Sequence, residues 1–237
     1  MSLILVLTIG QAVSSTLAWI GFYAGIRALP GGRARQSRWI IGSAAVAAAW
    51  LVGVFLLGAA GNDVLPPRIP MALVATLLLG YLLLLSPTFR RIVSAVPQHW
   101  LIGIQAFRIL GSVWLVRYFG GQLPGLFALP AGIGDVATGL LAPFVAYAWY
   151  SGKPYARGLA IAWTLFGMAD FVIAVVLSRL TNGGAGGIVF PLVLIPAYGV
   201  PHAFLIHSYS LIGLLRKTSQ QARPAESLNY GMGAAHA

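Results

Sequence analysis

The sequence predicts an all-α, polytopic integral membrane protein of seven transmembrane helices, with its N-terminus outside and its C-terminus in the cytoplasm. Three observations carry this. Of 237 residues, 59% are hydrophobic and only 8% are charged, against roughly 25% charged in a soluble globular chain. Seven stretches reach the about 20 mainly apolar residues that one bilayer crossing needs. The basic residues, finally, fall in short gaps between those stretches rather than on one face, which is the pattern of membrane topology and sets nucleic acid aside as a partner. Mean hydropathy is +0.85, so the lipid bilayer is the solvent for most of the chain.

The spans are expected at 3–27, 39–60, 69–87, 98–118, 124–150, 158–179 and 187–213. The first two are rich in small residues. In the first, Ser14, Ala18, Gly21 and Gly25 share one stripe, which lets a second helix approach closely, within the chain or from another copy in a homo-oligomer. The third is dominated by leucine. The segment 88–98 after it, with Arg90 and Arg91, reads as a short interfacial helix. The fifth and seventh contain proline, predicting kinks near Pro130 and Pro143 and near Pro191, Pro196 and Pro201. The glycine-rich turn at 182–187 has no GK[ST] after it and is not a phosphate loop.

Eleven Lys and Arg side chains lie in alternate gaps: Arg27, Arg33, Arg35, Arg38, Arg90, Arg91, Lys153, Arg157, Arg216, Lys217 and Arg223. The opposite gaps hold only Arg68, Arg117 and Arg179. Because positive loops stay cytoplasmic, the eleven mark the inside. No Lys or Arg precedes the first apolar run, so that run reads as a span rather than a cleaved signal. The chain divides into a transmembrane domain over 1–215 and a polar, disordered cytoplasmic tail over 216–237. No internal repeat is visible.

Three charged residues fall inside spans: Arg108, Asp135 and Asp170. Each costs about 2.5–3.5 kcal/mol at a helix centre, so all three should face the bundle interior. Helical phase puts Gln105, Arg108 and Ser112 on one face, Gly132, Asp135, Gly139 and Pro143 on another, and Trp163, Gly167 and Asp170 on a third. Depths match for an Arg108–Asp135 pair across a short turn. One arginine neutralises one carboxylate, which leaves Asp170 to be protonated, hydrated or paired elsewhere. His202 is the expected partner, with Tyr198 one turn away, and an Asp–His unit in a low-dielectric bundle would be suited to proton relay.

Other chemistry is excluded or weaker. Without cysteine there are no disulfides, thiolate metal sites or thiol catalysis. No HExxH motif is present and no metal site is expected. A retinal protein needs a lysine in its seventh span, whereas the lysines are Lys153 and Lys217. Residues 132–135 spell the GxGD of presenilin-type proteases, but the matching YD and PAL elements are missing. No cofactor is predicted. A haem between His99 and His207 is the alternative, since both lie toward the cytoplasmic side, whereas His202 and His207 lie about 140° apart on one helix.

The stretch 97–143, with PQHWLIGIQAFRILG followed by LPGLFALPAGIGDVATGLLAP, resembles a group of uncharacterised bacterial integral membrane proteins. The resemblance covers about a fifth of the chain, matches at Gln105, Arg108, Gly132, Gly134 and Asp135, and implies a bacterial inner membrane location but no activity. The sequence therefore leads to a polar centre of Gln105, Arg108, Asp135, Asp170 and His202 that passes a small solute or proton. A haem-binding or redox protein using His99, His202 or His207 is the second reading, and a structural or assembly subunit of a membrane complex the third. Neither the substrate nor an enzymatic role is legible.

Overall fold

The structure is a computed structural model that describes residues 3–30, 32–59, 68–181 and 192–221. All regular elements among these are helical. They are α1 (Leu3–Arg27), α2 (Arg33–Ala59), α3 (Arg68–Leu83), α4 (Pro87–Ala95), α5 (Gln98–Gly103), α6 (Ser112–Phe119), α7 (Gly125–Tyr150), α8 (Ala156–Leu180) and α9 (Val200–Gln221). A 3₁₀ segment, Ile104–Gly111, joins α5 to α6, and a π-helical segment, Ile195–Gly199, leads into α9.

Among the described residues, three helical stretches are long and apolar enough to cross a membrane: Gln98–Phe119, Gly125–Tyr150 and Ala156–Leu180. A fourth crossing exists if α3 and α4 are one broken span, for Leu73–Leu83 and Pro87–Ala95 meet at 95°. The cause of the bend is local. Proline disfavours α geometry in the residue before it, and Ser86 accordingly turns extended at φ −72°, ψ 119°. Its side chain then accepts a hydrogen bond from Phe89 N at 3.3 Å, capping α4 with Pro87 in the first turn. The resulting short helix buries Phe89 and Ile92 and carries Arg90 and Arg91.

The bundle exposes many apolar side chains and buries its charged Arg108, Asp135 and Asp170 within a mainly apolar core. On α7, Ile133, Leu140, Leu141 and Phe144 are exposed while Gly132, Asp135 and Gly139 are buried. On α8, Phe166, Val172 and Ile173 are exposed while Trp163, Gly167 and Asp170 are buried. The turns at either end of α7 use Gly121 (φ 69°) and Gly152 (φ 64°), a left-handed geometry that costs other residues about 1 kcal/mol or more.

Helix α7 is central, packing on the α5–3₁₀–α6 rod on one side and α8 on the other, while α9 closes the bundle against α3, α5 and α8. Both of its prolines, Pro130 and Pro143, sit within one continuous helix, and Pro143 is exposed rather than on the buried face. The α1 stripe is used within the chain. A Cβ on Gly21 would strike the Trp100 indole, and one on Gly25 the Ile92 carbonyl. Helix α9 runs six residues past the expected domain boundary at 215, to Gln221. The remainder of the expected tail, the 182–187 turn and Pro191 lie outside the described residues.

Candidate functional site: one arginine between two aspartates

Arg108 lies in the 3₁₀ segment. At three residues per turn, side chains three apart eclipse one another, so the buried line is Gln105, Arg108 and Gly111. An α-helix would have put Ser112 there, as the sequence phase implied; Ser112 instead starts α6 and is half-buried. The substitution of glycine for serine on that line matters sterically. A Cβ on Gly111 would collide with the Asp135 carboxylate, so the tighter winding clears the space the acid fills. Runs of 3₁₀ helix beyond about four residues are uncommon inside a helical rod and often mark strain or a hinge. This one has eight.

The arginine makes the Asp135 pair that span depth predicts, with Nε donating to Oδ1 at 2.8 Å. It also takes the second acid. Nη2 donates to Asp170 Oδ2 at 2.5 Å, so Asp170 pairs with Arg108 and the expected Asp170–His202 unit does not form. The physical reason is donor geometry: a guanidinium carries five N–H donors in a planar fork, enough for two carboxylates approaching from adjacent helices. Nη1 donates to the Gly167 carbonyl at 3.0 Å and lies 3.3 Å from His207 Nε2. The guanidinium carbon also stands 3.8 Å from the centroid of the Phe171 ring, a cation–π contact.

Three glycines make this crowding feasible. Beside Gly111, a Cβ on Gly134 would run into the Asp170 carboxylate, and one on Gly167 would press on His207 and Arg108. The site is largely buried: relative side-chain exposure is 1% for Arg108, 11% for Asp135 and 8% for Asp170. His207 is fully buried between Trp163 and Phe171, with ring centroids 5.0 and 6.3 Å away. Among the described residues its Nδ1 has no hydrogen-bond partner.

The remaining candidates sit elsewhere. Gln105 Nε2 donates to the Ala203 carbonyl at 2.9 Å, tying the 3₁₀ segment to α9. His202 faces away from the cluster, stacking on Tyr198 at 5.4 Å and lining a cavity of 620 Å³ between the N-terminal helices and α9. Tyr198 in turn shares a 2.5 Å hydrogen bond with Ser15 of α1. His99 packs edge-on against Tyr150 at 5.2 Å, apart from the rings that enclose His207. Among the described residues, no group of three or more His, Asp or Glu gathers as a metal site.

Sequence reasoning missed Phe171, Gly111 and Gln98. Phe171 is simply the residue after Asp170, and its apolar character gave no signal. Gln98 donates to Ser210 Oγ at 2.5 Å and to the Ser210 carbonyl at 3.2 Å, fastening α5 to α9. It is the first residue of a predicted span, where a polar side chain is ordinary, so the pattern gave no signal.

Neither a curated protein nor a solved structure matches the chain. A family profile described as a domain of unknown function, DUF8737, matches residues 64–215, from α3 into α9, and takes in Arg108, Asp135, Asp170 and His207. The chain therefore belongs to the DUF8737 family.

Proposed function

We propose that this is a seven-span bacterial inner-membrane protein, N-terminus outside and C-terminus inside, that passes protons across the bilayer through the Arg108 cluster. The seven-span reading is supported by the lengths of α1 and α2, 25 and 27 residues, since about 20 suffice for one crossing. The orientation rests on the eleven-to-three division of basic residues.

The observation that carries the functional reading is the charge count in a largely buried site. One guanidinium faces two carboxylates, and the pairs are 2.8 and 2.5 Å long. With both acids ionised the cluster would hold a surplus negative charge away from water, which is costly in a low-dielectric bundle. A proton cancels it. Binding and release of that proton changes what Arg108 holds, and Arg108 sits in a long 3₁₀ segment that winding back to α-helix would re-aim. With two carboxylates and the Gly167 carbonyl already on its guanidinium, Arg108 is better suited as a counter-ion to the proton site than as the docking point of an anionic solute.

The test is proton movement in proteoliposomes loaded with a pH-sensitive dye, driven by an imposed membrane potential. Wild-type vesicles should change internal pH faster than protein-free vesicles, and Asp170→Asn should lose the difference. Equal rates in wild-type and protein-free vesicles would overturn the reading. A second reading, in which the cluster only fixes helix packing, draws on the way Arg108 ties together Asp135 of α7, Gly167 and Asp170 of α8 and His207 of α9. It predicts that the Asp170→Asn protein folds and that no flux is lost.

A further inference from the structure

The 620 Å³ cavity does not communicate with any residue of the Arg108 cluster among those lining it, and the proton reading gives it no task. Helix α9 separates the two, presenting His202 to the cavity and His207 to the cluster. The cavity's walls come from α1, α2, α3, the α4–α5 region and α9. They are strongly aromatic: Trp19, Trp39, Trp50 and Trp100 all line it. One full charge does so as well, Arg38 on the first turns of α2.

Arg38 stands in an unusually one-sided electrostatic setting. Arg27 and Arg35 lie near it and bond only to neutral groups, Gln36 Oε1 and Thr88 Oγ1. Arg90 and Arg91 are on α4, beside the same end of the bundle. The two ion pairs among the described residues both belong to Arg108. The other two acids of the chain, Asp63 and Glu226, lie outside the described residues. A pocket whose body is apolar and aromatic and whose rim is cationic, with no matching acid among the described residues, is complementary to one chemistry: an apolar body with an anionic head.

We propose that this cavity is a binding site for a single-chain anionic amphiphile, its apolar body against the tryptophans and its carboxylate or phosphate head at Arg38. The volume falls within the roughly 300–1,000 Å³ of pockets that enclose drug-sized ligands, which suits one chain or a fused-ring body. Polar capacity also remains deeper in. Trp19 Nε1 and His202 Nε2, on two lining residues, have no hydrogen-bond partner among the described residues. The site stands independently of the proton reading, because it shares no side chain with the Arg108 cluster.

The four tryptophans supply the assay. Bromine quenches indole fluorescence at short range, so the full-length protein in detergent is titrated with a brominated fatty acid and, separately, with the brominated fatty alcohol of the same chain. The site predicts saturable quenching by the acid and weaker quenching by the alcohol. Arg38→Gln should raise the half-saturating acid concentration roughly three- to fivefold, the value of one partly exposed ion pair. Gly42→Phe is the second variant. Gly42 lines the cavity and a Cβ there meets nothing within 4 Å, so a bulky side chain can start from this position without a clash at its root. It should cut the saturable quenching while leaving the circular dichroism spectrum unchanged. A brominated two-chain phosphatidylglycerol tests the other source of an anionic head and should quench less than the single-chain acid. The proposal is overturned if acid and alcohol quench alike, if Arg38→Gln titrates as wild type, if Gly42→Phe leaves quenching intact, or if the two-chain lipid is preferred.

Discussion

Asp135 and Asp170, on consecutive helices α7 and α8, grip the same guanidinium from two sides, at Arg108 Nε and Nη2. The three side chains form one electrostatic unit: removing either aspartate leaves an Arg–Asp pair, whereas removing the arginine strands two carboxylates in a largely buried site. Breaking a buried ion pair by deleting one partner costs about 3–5 kcal/mol, whereas removing all the charges together is far milder.

Arg108→Leu should therefore be strongly destabilising, by about 3–5 kcal/mol or enough to prevent folding. Combining it with Asp135→Asn and Asp170→Asn should recover much of that loss. Thermal unfolding of the detergent-purified proteins, followed by circular dichroism, measures both. A triple variant less stable than Arg108→Leu would show that the carboxylates are held by something other than this arginine.

The three glycines give a steric prediction. Gly134→Ala and Gly167→Ala place a methyl group against Asp170 and against His207 and Arg108, respectively. Overpacking of this kind costs typically about 1–3 kcal/mol. Gly53→Ala on α2 is the contrast, because its Cβ would meet nothing within 4 Å. It should be neutral or stabilising by up to about 1 kcal/mol, the helix propensity gained. Melting temperatures of the three variants decide the matter, and a Gly134→Ala protein as stable as wild type would contradict the close packing of α7 on α8.

Gln98 offers a test of the clamp between α5 and α9. Its amide gives both donors to Ser210, and Gln98→Leu leaves the buried Ser210 hydroxyl without that donor. A loss of about 1–3 kcal/mol is expected. Because the contact joins residues 112 apart in sequence, limited proteolysis of α9 should also accelerate. Unchanged melting and proteolysis would remove the clamp from the account.

Much of this centre could be read from the chain. The high cost of charge in a bilayer picked out Arg108, Asp135 and Asp170, and span depth paired the first two. Arg90 and Arg91 marked a separate short helix after the third span, but the 95° bend at Ser86–Pro87 was not foreseen, because the expected span runs through Pro87. What the sequence could not reveal was helical winding. A 3₁₀ segment and an α-helix share the same apolar composition, so Gly111 rather than Ser112 beneath Arg108 left no trace in the pattern. The choice between His202 and His207 was hidden for a related reason. Five residues apart, they differ by about 140° around α9, and the π-helical turn at Ile195–Gly199 that precedes α9 lies where the hydrophobic run has no period to read. The sharing of one guanidinium was missed because charge was counted one to one, while donors are counted five to an arginine.

The central claim is that the Arg108 cluster holds an exchangeable proton between its two carboxylates. The most direct measurement is an acid-minus-alkaline infrared difference spectrum of the full-length protein in lipid, compared with Asp135→Asn and Asp170→Asn. The account predicts a protonated-carboxyl band in wild type that disappears or shifts in each variant, since the pair shares one arginine. A carboxyl region that is featureless in wild type, or identical in all three proteins, would contradict it and leave the cluster as a packing element.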